Sequence, residues 1–131
     1  MNNDTTINVT KIHSDKEIFE AIIACYPGLS PNGFEPTSMR DDNSFSLNEF
    51  QAARKWLNGI QKTRVIVATK ETYSYYLKHR AEEATGVYIS NGHLIAAAIA
   101  EGFCFRYYGN GPNVYINANA RCVKEKVEGV K

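Results

Sequence analysis

The stretch from Asn91 to Glu101, Asn-Gly-His-Leu-Ile-Ala-Ala-Ala-Ile-Ala-Glu, constrains this chain more than any other. Ser90 is placed to cap a helix over these residues, and Gly102 is placed to close it. Leu94, Ile95, Ala98 and Ile99 form an apolar stripe. Ala96, Ala97 and Ala100 leave the remaining sides with almost nothing polar. A helix of that composition is built to be buried, so other elements must surround it.

The sequence supplies those elements. Ser14 stands three residues before Glu17, a capping box in which each side chain satisfies an orphaned backbone N–H. Ile18, Ile22 and Cys25 follow on one stripe, and Pro27-Gly28 ends the helix. Ser46 and Glu49 repeat the signature, with Phe45 and Phe50 as a hydrophobic staple and Gly59 as a left-handed stop. A further helix runs from about Tyr73 to Ala84, ended by Gly86. Residues 27–44, rich in Pro, Gly, Asn, Ser and Asp, read as a long functional or mobile loop.

Extended structure is sparser. Arg64-Val65-Ile66-Val67-Ala68 is a β-branched run that is either a strand or a helical extension. Phe103 to Tyr108 and Asn113 to Asn117 read as strands joined by Gly109-Asn110-Gly111-Pro112. The predicted class is α+β: about four helices with a small antiparallel sheet or hairpin near the C-terminus. The 131 residues suit a single domain. Within it, 1–10 is predicted to be a frayed arm and 122–131 a charged tail.

Composition bounds the chemistry. At 44% hydrophobic and 22% charged the chain is globular, and it holds no window of the ~18–20 apolar residues that a membrane span needs. The N-terminus lacks the basic-then-apolar order of a secretory signal. Cys25, Cys104 and Cys122 are odd in number and unpaired in spacing, so they read as reduced, mostly buried thiols in a cytoplasm, with no metal site and no cofactor implied.

Net charge is only +1, but it is unevenly spread. Between residues 14 and 49, Asp15, Glu17, Glu20, Glu35, Asp41, Asp42 and Glu49 face only Lys16 and Arg40. Between 54 and 80, Arg54, Lys55, Lys62, Arg64, Lys70, Lys78 and Arg80 face only Glu71. The two regions either neutralise each other or steer partners.

Five chemical readings compete. His79 reaches Glu82 and Glu83 on a helix face, the beginning of an acid/base pair, but no nucleophile or second oriented group accompanies it. Ser90-Asn91-Gly92-His93 opens a helix where free N–H groups suit an anion, with His93 pointing outward; a phosphate loop would need more glycines and a lysine, so Ser90 is first a cap. The basic strip, Arg54, Lys55, Lys62, Arg64, Lys78 and Arg80 with Asn91 and His93, offers cations for phosphates, and Trp56, Tyr73, Tyr75 and Tyr76 offer rings for stacking. Helix–turn–helix readout fits poorly, because the second helix presents alanines rather than polar groups to a groove. Around the Asn/Gly turn, Tyr107, Tyr108, Asn110 and Tyr115 suit an adaptable contact surface for a protein.

Leu77-Lys78-His79 with Glu82, Ser90-Asn91-Gly92 with Ile95 to Ala98, and Pro112-Asn113 carry a resemblance. Over about residues 73–117 the chain resembles uncharacterised small proteins of bacterial plasmids, prophages and integrated mobile elements. The resemblance implies a cytoplasmic accessory role in transfer, replication or counter-defence, and no activity. The expected function is therefore a non-enzymatic accessory protein that binds a protein partner. The alternatives are nucleic-acid binding through the 54–80 strip and, last, a small enzyme built on His79 and Glu82.

Overall fold

A computed structural model describes residues 13–35 and 41–129. The predicted frayed arm over 1–10 and the final two residues of the predicted tail lie outside the described residues. The elements in chain order are α1 (Asp15–Cys25), β1 (Leu29–Ser30), β2 (Gly33–Phe34), α2 (Leu47–Leu57), α3 (Ser74–Thr85), α4 (Asn91–Ala100), β3 (Phe105–Tyr107), β4 (Val114–Ile116) and α5 (Ala120–Glu128). Short 3-10 turns cover Asp42–Ser44 and Lys70–Thr72. The architecture is α+β with a hairpin near the C-terminus, as predicted; a fifth helix and a second hairpin complete it.

Helix α4 is the centre. Every residue from Asn91 to Ala98 is buried, and α1, α2, α3 and β2 pack around it. Ala53 on α2 and Ala96, Ala97 and Ala98 on α4 are fully covered, and their small side chains let helices approach closely. Leu94 and Ile95 join Phe50, Leu57, Leu77 and Ile89 in the core, each large side chain stabilising the fold by about 1.5–3 kcal/mol. No helix among the described residues is long and apolar enough to cross a membrane.

The helix ends follow their local chemistry. Ser14 Oγ accepts the Glu17 N–H (3.1 Å) and the Glu17 carboxylate accepts the Ser14 N–H (2.9 Å), the full predicted box. Helix α3 stops at Gly86, whose φ of +73° is left-handed.

Residues 27–44 are not one long loop. Leu29 pairs with Phe34 and Ser30 with Gly33 in a two-residue-strand hairpin, and Leu29 and Phe34 are core residues. This hairpin sits on the start of α4: the Gly92 N–H donates to Pro31 O (2.8 Å), and a Cβ at Gly92 would lie 1.8 Å from Ser30 O. Only glycine fits there.

Strands β3 and β4 pair Phe105 with Ile116, Arg106 with Tyr115 and Tyr107 with Val114. An isolated bridge joins Tyr73 to Tyr115 on the other side of β4, and a second joins Lys62 to Ala118 just past its end. The chain between them leaves β4 and returns to it. The β-branched run 64–68 within it is neither strand nor helix. Side chains hold it as a fixed loop: Thr63 Oγ1 donates to Val65 O and Thr72 Oγ1 to Val67 O, both at 2.6 Å.

The predicted charged tail is largely α5. Asn119 caps it by accepting the Cys122 N–H (2.9 Å), and Val123 is buried. The thiols depart from expectation as well: Cys25 and Cys104 are exposed and Cys122 is half-buried.

Candidate interaction surface

The Ser-Asn-Gly-His segment is not an anion site. The Gly92 N–H is spent on Pro31 O, and the His93 N–H is donated to Ser90 Oγ (3.3 Å). His93 does not point outward; it is 1% exposed, between the rings of Phe19 and Phe45. Its Nε2 accepts the Ser46 backbone N–H (2.8 Å), so the ring proton sits on Nδ1, 2.5 Å from Ser90 Oγ and 3.1 Å from Glu49 Oε1. Burial pushes this imidazole below its ordinary value, and the Glu49 carboxylate only partly offsets that.

The predicted Ser46–Glu49 box is consequently half formed. Ser46 Oγ accepts the Glu49 N–H (3.3 Å), but the Glu49 carboxylate caps a different helix, accepting the Ser90 N–H (2.8 Å). Each helix lends its third residue to the cap of the other: Glu49 of α2 serves Ser90, and His93 of α4 serves Ser46. A serine, histidine and glutamate in contact invite comparison with a hydrolytic triad, but the nitrogen facing Ser90 carries the proton, so it cannot take one from the hydroxyl. The cluster joins two helix starts.

The basic strip is dispersed. Both Asn91 and His93 are buried, because α4 is the core helix: Asn91 Nδ2 donates to Asn32 O in the β1–β2 turn (3.0 Å), and His93 lies against the start of α2. Arg54 binds Glu101 (2.7 Å) and Asp15 (2.9 Å), the one ion pair among the described residues that joins the acidic and basic regions. Lys78 is buried against Glu82 (3.0 Å) between the rings of Tyr75 and Tyr88, and Arg80 pairs with Glu83 (2.7 Å). Lys55, Lys62 and Arg64 are exposed with no carboxylate within ion-pair distance among the described residues.

His79 does reach Glu82 (3.2 Å). Glu82 is committed elsewhere, accepting from Lys78 and from the Ile89 N–H (3.1 Å). Burial opposes its ionisation, yet that N–H and the ammonium hold the carboxyl below its ordinary range. A carboxylate so stabilised is a weak base. An open groove of about 600 Å³ between α1 and α4 is walled mainly by Ile18, Ile22, Cys25 and Ile99, with the exposed His13–Glu17 pair (3.6 Å) also in its wall. Among the described residues no group of three or more His, Cys, Asp or Glu is placed to hold a metal ion.

The hairpin divides the predicted contact residues between its two faces. Tyr107 lies edge-on to Phe34 (5.1 Å), and with Asn110 it lines a groove on that side. Tyr108 and Tyr115 lie on the outer face, where Tyr73 completes a cluster with ring centres 5.3–5.6 Å apart. Asn113 Nδ2 donates to the Tyr73 hydroxyl (2.8 Å). Burial, then the neighbouring phenols, raise the Tyr73 phenol above its ordinary value. Arg106 lies over the Tyr115 ring (6.0 Å).

Beside this face stands the 62–73 loop, with Val65 63% and Val67 55% exposed. Arg64 and Lys70 flank them, both exposed. Arg106 and the two valines were not selected from sequence. The alternation of Arg106 with Tyr108 marks a shared face, but nothing local shows that residues 64–67 return to the same strand. No family model, curated protein or solved structure matches the chain.

Proposed function

We propose that this is a non-enzymatic accessory protein that binds a protein partner through the outer face of the β3–β4 hairpin and the adjoining 62–73 loop. The observation that carries this reading is a fixed loop holding two valines in solvent beside an Arg106–tyrosine face. Exposed valines held by side-chain hydrogen bonds gain nothing for the fold, whereas tyrosine and arginine are the residue types on which interface energy concentrates. Arg64, Lys70 and Arg106 have no carboxylate partner among the described residues, so the surface favours an acidic partner. The resemblance supplies the setting: the cytoplasm of a bacterium carrying a mobile element.

Nucleic-acid binding remains the competing reading, supported by the exposed Lys55, Lys62 and Arg64. It is weakened because Arg54, Lys78 and Arg80 are ion-paired and Asn91 and His93 are buried. Affinity capture from host lysate, with and without nuclease, separates the two. Capture of one protein that survives nuclease, falls with Val67→Ser and Tyr108→Ala, and persists with Lys55→Glu supports the proposal. Capture abolished by nuclease overturns it.

A further inference from the structure

Strand β3 is an edge. Tyr108 N–H donates to Asn113 O (3.1 Å), and Cys104 O accepts the Asn117 N–H (3.2 Å). In an antiparallel ladder every second residue turns its backbone toward the partner strand. Arg106, paired with Tyr115, therefore faces β4, and Phe105 and Tyr107 direct their N–H and C=O groups away from it. No strand lies on that side among the described residues, and those outward groups have no hydrogen-bond partner there. Arg106 and Tyr107 are exposed and Phe105 is half-buried. A groove of about 560 Å³, with Phe34, Glu35, Tyr107 and Gly109 in its wall, opens beside the strand.

A second copy of this chain is a poor occupant. The antiparallel register that uses both outward residues pairs Phe105 with Tyr107 of the other copy, which sets Arg106 directly opposite Arg106. Cross-strand like charges destabilise, and a charge in the middle of an edge strand is a common device against self-pairing. The same geometry favours a carboxylate there, since Arg106 has an aromatic ring beneath it but no acid.

From this arrangement the geometry points to strand addition: an extended segment of an acidic protein partner pairs along the β3 edge. It satisfies the outward groups of Phe105 and Tyr107 and places an Asp or Glu opposite Arg106. Its neighbouring residues turn to the other face, beside Phe34 and the Tyr107 ring, where apolar side chains fit. This deepens the binding reading above and rests on it, giving the partner a conformation and a central charge.

The test is titration of the full-length, 15N-labelled protein with the capped peptide Thr-Val-Glu-Val-Thr, with Thr-Val-Lys-Val-Thr, and with an N-methylated Glu peptide that lacks the pairing amides. The Glu peptide is expected to shift the Phe105 and Tyr107 amide signals and slow their exchange. It should bind roughly fivefold more tightly than the Lys peptide, with the preference reversed by Arg106→Glu, while the methylated peptide fails. Equal binding of the Glu and Lys peptides overturns the acidic occupant. Shifts confined to Tyr73, Tyr108 and Tyr115, or no shifts at millimolar peptide, overturn strand addition. Neither result decides the outer-face reading, which the nuclease-controlled capture judges by itself.

Discussion

His93 Nε2 accepts the backbone N–H of Ser46 across 47 residues of chain, at 2.8 Å, in the position that a capping box reserves for the side chain of Glu49. Glu49 in return accepts the Ser90 N–H. The starts of α2 and α4 are thereby locked to each other, which fixes the core helix against its most extensive neighbour.

Replacing His93 by Ala leaves the Ser46 N–H and the Glu49 carboxylate short of a partner and opens a cavity between Phe19 and Phe45. Urea unfolding should show a loss of about 2–4 kcal/mol. Glu49→Gln, which keeps an acceptor for Ser90, should cost no more than about 1 kcal/mol. Equal costs for the two would contradict the interlocked caps.

The same imidazole makes stability depend on pH. Its folded pKa is lowered from 6.5, so between the two values the unfolded chain binds the extra proton. The stabilisation is complete above about 6.5 and is lost as pH falls through the folded value, because a proton on Nε2 confronts the Ser46 N–H. The thermal midpoint should therefore fall between pH 7 and pH 5 in the wild type, and fall less steeply in a His93→Gln variant. An identical slope in both would remove His93 from the account.

Gly92 and Gly86 separate two reasons for glycine. Gly92→Ala drives a Cβ into Ser30 O and should cost at least about 3 kcal/mol by displacing the β1–β2 hairpin. At Gly86 nothing lies within 4 Å of an added Cβ, so Gly86→Ala should cost only the left-handed conformation, about 1–2 kcal/mol. Comparison of their urea midpoints checks this.

These contacts show which parts of the fold were legible in sequence. Ser14, Ser46, Ser90, Gly86 and Gly102 mark helix ends through bonds made within a few residues, and every helix they bound forms. The apolar run in α4 announced its burial because no other placement hides so many apolar sides. What failed was non-local. Glu49 matches a capping box locally but is recruited by Ser90, and His93 looks solvent-facing until Phe19, Phe45 and Ser46 arrive from distant segments. Residues 64–68 have strand propensity, but Thr63 and Thr72 tie them into a loop. Residues 27–44 read as irregular because a hairpin of two-residue strands carries no periodicity. At the candidate surface, Tyr108 and Tyr115 were visible, while Arg106, Val65 and Val67 acquire meaning only once the loop rejoins β4.

Arg54 is the single ion-paired link between the acidic and basic regions among the described residues, and it is partly covered. Arg54→Ala should lower stability by about 1–2 kcal/mol, since Glu101 then loses its charged partner in a largely covered site. Arg64→Ala, on the loop, should change stability by less than about 0.5 kcal/mol while weakening partner capture. If Arg64→Ala unfolds the chain, the loop serves the fold and not a partner.

The most direct test of the central claim is site-specific photo-crosslinking in cells. Benzoyl-phenylalanine is substituted for Val67 and, as a control on the exposed side of α3, for Glu83. A discrete protein adduct from position 67, resistant to nuclease and absent from position 83, is the predicted result. Adducts of equal yield from both positions, or an adduct at 67 that nuclease removes, would contradict a protein-binding face at the hairpin and its loop.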